Sequence, residues 1–260
     1  MISLVVEQIK ALSVSFVKVA FRSKGMVGIL LTGIILVVLT NLMLNLYIGE
    51  RARTLETSGF FIVGLWGLLT SVYLGATVVN KEIQDKTVYL FLVRPMSRST
   101  YLIGKWSGVV ATLLIIFVGI STAFLLNLKM NGVAILAPHF MALTCIFMEW
   151  VILATFSVMF STFTTPFLNG LFVYFVWMLG HLSNDILVYY RNVSDQSYAM
   201  LLKIIHILLP NLEAINFRSE VIYGKSIEPI VFGMALSVSF LWMVSILLLG
   251  IMIFSLRKLS

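Results

Sequence analysis

Charge is what this sequence has least of. Asp, Glu, Lys and Arg make up 11% of its 260 residues, where a soluble domain carries about a quarter. A chain this poor in charge, with 60% hydrophobic residues and a mean hydropathy of +1.04, lacks the polar surface to face water on all sides. That excludes a soluble globular protein and points to an integral membrane protein. Cysteine is nearly absent too. Cys145 stands alone, so no intrachain disulfide forms and cysteine usage says nothing about compartment. The first 25 residues lack the short apolar core and small-residue cleavage site of a signal peptide. Catalytic signatures are missing: no HExxH, no nucleophile elbow, no paired carboxylates. Gly224-Lys225-Ser226 has the ending of a P-loop, but Ser219 stands where the motif needs its first glycine. Nucleic-acid binding would need a large basic segment, and none is present.

What the sequence has instead is long apolar runs. A helix needs about 20 residues to cross the hydrocarbon core. Six runs meet that length: Met26–Tyr47, Gly59–Val79, Trp106–Leu128, Phe140–Phe163, Phe167–Asn184 and Ile230–Phe254. They are continuous rather than alternating, which argues for helices and against a β-barrel. The expected fold is all-α, with six transmembrane helices in one transmembrane domain over residues 1–260.

The few charges are unevenly placed. Six spans put both termini on one side. On that side lie Lys10, Lys18, Arg22, Lys24, Lys81, Lys86, Arg94, Arg98, Lys105, Arg257 and Lys258. On the other lie only Arg51, Arg53, Lys129, Arg191, Lys203, Arg218 and Lys225. The Lys/Arg bias predicts both termini in the cytoplasm. The net charge of +7 is then mainly a topological signal.

Between the spans, three segments predict structure. Ile2, Val5, Ile9, Leu12, Phe16, Val19 and Ala20 form one helical stripe, with Glu7, Lys10, Lys18 and Arg22 opposite it. This predicts an interfacial amphipathic helix over residues 1–25, its basic residues facing lipid headgroups. Residues 185–228 form a long outer link. Within it Tyr198–Leu209 is apolar but too short to span, and Pro210 ends it, which predicts a re-entrant or membrane-surface helix. The third segment is the link 80–105, NKEIQDKTVYLFLVRPMSRSTYLIGK, the longest inner connection. Val88–Val93 is apolar yet lies beside water by topology. Pro95 breaks any helix, and Ser97 or Ser99 can cap the third span. An apolar patch beside water needs a cover, so a short helix docking into a groove of another protein is expected.

The order Glu82, Thr87, Leu90, Pro95, Ser97, Arg98, Gly104, Lys105 resembles the inner loop of ABC-2 type ABC-transporter permeases. The whole plan is similar as well: interfacial helix, six spans, outer helices between spans five and six. The stretch LPNLEAINFRSEVIYG (209–224) resembles the permease subgroup associated with multicopper-enzyme maturation. One departure is Asp85-Lys86, where many members carry a glycine before the threonine; it changes how the loop helix begins. The resemblance implies that the loop is a coupling helix seated in a separate cytosolic ATPase subunit. It implies Glu82, Asp85, Lys86, Thr87, Leu90, Arg94, Pro95 and Arg98 as contacts. It further implies two ATPase copies holding ATP and Mg, no cofactor in this chain, and a second permease copy or homologue. The setting it implies is a prokaryotic cytoplasmic membrane, and the direction export.

Glu149 lies near the middle of span four, where a charge costs about 2.5–3.5 kcal/mol on insertion scales. It lines a transport route, pairs with Asn41, Asn45 or Asn169, or is protonated and hydrogen-bonded; the sequence leaves these open. A lipid-like substrate path is expected to include Glu149, Asn169, Phe172 and Tyr174. Two other classes stand beside transport. One is a membrane enzyme using His139, His181 and His206 from one side, though no metal-ligand pattern is present. The other is an assembly or anchoring factor that moves no soluble substrate.

Overall fold

In the computed structural model, the described residues are 2–46, 50–79, 82, 96–192 and 196–257. They form helices α1 (Ile2–Arg22), α2 (Lys24–Leu46), α3 (Arg51–Val78), α4 (Arg98–Met130), α5 (Ala137–Ser161), α6 (Pro166–His181), α7 (Ser183–Asn192), α8 (Gln196–Leu208), α9 (Arg218–Ile222) and α10 (Pro229–Leu256). A 3₁₀ turn covers Glu213–Ile215. Among the described residues there is no strand, and the fold is that of an all-α integral membrane protein.

Local chemistry sets the helix ends. Ser97 caps α4, its Oγ accepting the Thr100 N–H at 3.1 Å. Pro166 and Pro229 occupy the first positions of α6 and α10, where the missing N–H costs nothing. Ser23 separates α1 from α2 and accepts the Met26 N–H at 3.3 Å. After α4 the chain turns at Gly132, with φ +78, a conformation that favours glycine.

Helices α2, α3, α4, α5 and α10 are each long and apolar enough to cross a membrane. The fifth predicted span is different. It breaks at Leu182, and the pieces on either side are bent by 61°. The sequence predicted one run over Phe167–Asn184; the polar Ser183-Asn184-Asp185 instead begins α7.

Helix α5 is the axis of the bundle. Of its most apolar stretch 78% is buried inside the protein, against 17% for α10 and 22% for α2. Helices α3, α4, α6 and α10 all pack on it. Small residues on α3 allow the closest of these contacts. A Cβ at Gly67 would lie 1.7 Å from Trp150 Nε1, and one at Gly75 would lie 2.4 Å from Ser157. Ser71 Oγ donates to the Trp150 carbonyl at 2.9 Å. The Gly67-Ser71-Gly75 stripe is thus used within the chain, against α5. Helix α1 lies along α4, where Gly104 and Gly108 make room for Leu12 and Phe16. Its buried stripe is Leu12 and Ala20, while Val19 is exposed.

Polar side chains tie the spans together inside the apolar core. Asn127 of α4 donates to Val37 O at 3.2 Å and to Thr40 Oγ1 at 3.1 Å, and accepts from Asn41 at 2.8 Å. Asn169 of α6 donates to Ser157 O at 2.7 Å and accepts from Ser157 Oγ at 2.9 Å.

Candidate functional site

Two polar clusters stand out, one reaching the middle of the bundle and one at the end that holds Arg98 and Arg257. The first is built on Glu149 of α5, which is 3% exposed. Its Oε1 accepts from Trp177 Nε1 and from His181 Nε2, both at 3.0 Å. Its Oε2 accepts from Arg218 Nη2 at 2.6 Å. Trp177 and His181 are four apart on α6 and share a face. Arg218 comes from α9, the short helix beyond the 3₁₀ turn. Its guanidinium lies against Gly64 of α3, where a Cβ would come within 2.7 Å of Nη2.

The cluster extends outward. His181 Nδ1 faces Glu213 Oε2 at 3.1 Å, and Asn216 donates to the same oxygen at 3.0 Å. The His181 hydrogen bond, with help from Asn216, holds the Glu213 carboxyl below the usual carboxylate range, although partial burial opposes it. The Leu212 N–H donates to Gly180 O at 3.0 Å, so the segment 212–222 is pinned to the end of α6 as well. A mid-span acid held by an arginine from a connecting segment is a paired charge, as burial requires.

Neither Asn41 nor Asn169 is a partner of Glu149. Asn41 binds Asn127 and Asn131, and Asn169 binds Ser157. The side chain of Asn45 lies outside the described residues. The true partners include Arg218, which topology had assigned to a connecting segment. One signal was present: Gly64 leaves a gap on α3 one turn before Gly67.

The three histidines do not converge. His139 accepts the Leu136 N–H on Nδ1 and gives Nε2–H to Glu56 at 3.1 Å. His181 sits in the Glu149 cluster, and His206 Nδ1 pairs with Ser183 Oγ at 2.9 Å. Among the described residues no three His, Cys, Asp or Glu side chains are grouped to hold a metal.

Of the expected substrate-path residues, Glu149 and Asn169 are buried in hydrogen-bonded pairs, while Phe172 and Tyr174 are exposed on α6. Phe172 borders an open cleft of about 310 Å³ with Phe160, Phe175, Val176, Leu179 and Leu209, all apolar.

The second cluster is at the other end. Glu82 accepts from the Tyr101 hydroxyl and from Lys105 Nζ. Arg98 Nη1 donates to the carbonyls of Phe254, Ser255 and Arg257, at 3.2, 2.9 and 2.8 Å. Arg257 in turn donates to Thr162 O. Asp85, Lys86, Thr87, Leu90, Arg94 and Pro95 lie outside the described residues.

A multi-pass helical bundle with a paired charge at its centre is the architecture of an integral membrane protein. A family model described as ABC-2 family transporter protein matches residues 37–259. The match covers most of the chain and includes the charged link, so the chain belongs to the ABC-2 transporter family. It is a permease component of an ABC transporter, a family whose members are not themselves catalytic and generally pair with a cytosolic ABC ATPase. No curated protein matches the chain.

Proposed function

We propose that this chain is the permease subunit of an ATP-driven exporter of the cytoplasmic membrane, with both termini in the cytoplasm. A separate ATPase, present in two copies and binding ATP and Mg, docks on the link 80–105. Asp85, Lys86, Thr87, Leu90, Arg94 and Pro95 supply the contacts, with Glu82 at the base. Two permease copies, or this chain and a homologue, complete the membrane part. The observation that carries this reading is the family match over 37–259, which includes the charged link and its apolar run Val88–Val93. The exposed aromatic face of α6 and its apolar cleft support a lipid-like substrate, with Phe172 and Tyr174 on the route.

Charge reversal at one contact tests the docking. Asp85→Arg places a cation in the contact surface and, by like-charge or unpaired-charge cost, is expected to weaken ATPase recovery by about tenfold or more. The chain itself should keep its melting temperature in detergent. Full ATPase recovery with normal stimulated hydrolysis in that variant sinks the docking assignment.

A further inference from the structure

The two described ends of the charged link meet at one place. Glu82, near its start, is held by Tyr101 and Lys105. Arg98, at its finish, lies three residues before Tyr101 on the first turn of α4, so both side chains share a face. Both turn toward the last span. The Tyr101 ring stacks on Phe254 with centroids 5.8 Å apart, and both residues are fully buried. Arg98 takes the carbonyls beside it.

This is the chemistry of a helix cap. The last carbonyls of a helix have no intrahelical donors and carry a partial negative charge. A guanidinium offers a fork of donors and a fixed positive charge, and so answers both needs. Among the five membrane-crossing helices, the one it caps, α10, has the smallest share of its apolar stretch buried. A span at the edge of the bundle has fewer neighbours along its length, so its end contacts tie it to the other helices. The tie continues from Arg257 to Thr162, the residue that follows α5, so the ends of α4, α5 and α10 are joined.

We propose that Arg98 and Tyr101 are transmission residues, joining the ends of the charged link to the last span so that a push on the link moves α10 with α4. This rests on the ATPase-coupled reading and removes Arg98 from the ATPase contact set to which the family resemblance assigned it. Arg98 is here a positioning residue; it acts on α10 and leaves nucleotide chemistry to the partner.

The test uses the full chain, tagged and purified with its ATPase from the host membrane, and hydrogen exchange over residues 250–257. ATP with vanadate is the probe. In the wild type, the trapped complex should change exchange in that peptide. In Arg98→Ala, exchange there should be roughly tenfold faster without nucleotide, as a lost cap implies, and the ATP-vanadate response should vanish while ATPase recovery stays at the wild-type level. Tyr101→Phe keeps the ring that stacks on Phe254 and removes the hydroxyl that bonds Glu82. It should fold, bind ATPase and show a reduced response, and it carries the test should Arg98→Ala not be recovered from the membrane. Loss of ATPase recovery in Arg98→Ala overturns the inference and makes Arg98 a docking residue. An undiminished response at 250–257 in either variant also overturns it. A wild-type chain that brings down no ATPase fails at the earlier step, and refutes the coupled reading itself.

Discussion

Glu149 shows how a single residue changes meaning once its neighbours are known. Alone in an apolar span it reads as a transport-path acid. In the structure both oxygens are taken, by Trp177, His181 and Arg218. Removing the charge strands the arginine. Glu149→Gln is expected to destabilise the chain by about 3–5 kcal/mol, the range for breaking a buried pair from one side. Glu149→Gln combined with Arg218→Met should recover much of that loss. Thermal unfolding in detergent, run as a double-mutant cycle, checks it; additive losses would show that the two residues are not coupled.

At the scale of elements, the contact of α3 with α5 is set by glycine. Gly67→Ala puts a Cβ where the Trp150 indole now sits. The indole is fully buried and has nowhere to move, so a loss of about 1–3 kcal/mol is expected, typical of overpacking. Gly28→Ala, on α2 with open space around it, serves as the control and should leave the melting temperature unchanged. Existence and order of the spans were legible in the sequence, because hydropathy reports what each stretch of about 20 residues is made of. The cap at Ser97 was legible for the same reason: it follows a local rule. The break at Leu182 was not. An apolar window contains no term for direction, and only the polar Ser183-Asn184-Asp185 hinted that the run would turn. Helix α7 was missed with it. Arg218 was missed because topology places a residue by its link, whereas this one reaches from its link to the middle of a span. Arg98 was read as a contact for a partner from its place in the family's loop motif; its use as a cap depends on Phe254 of α10, 156 residues away.

For the whole molecule, the Lys and Arg distribution predicts an orientation that can be measured. Cys145 is the sole cysteine and is buried, so its replacement by serine gives a clean background. In that background, Lys225→Cys should react with a membrane-impermeant thiol reagent applied to intact cells. Ser23→Cys should react only after the cells are opened. The reverse pattern would invert the protein, place the charged link outside and end the ATPase reading. The same scale explains the burial pattern. Helices α2 and α10 have little of their length covered by this chain, and α6 shows Phe167, Phe175 and Tyr174 on its surface. In a membrane such faces meet lipid or a second subunit without the penalty they would carry in water.

The pairing of Glu149 with Arg218 also has a consequence in time. The two residues are 69 apart in the chain. At ordinary rates of synthesis the ribosome needs roughly 3–14 seconds to pass from one to the other. Throughout that interval the newly made span four carries its acid without its cation. A nascent chain that stalls or is cut between His181 and Arg218 leaves that acid with Trp177 and His181 but without its arginine for good.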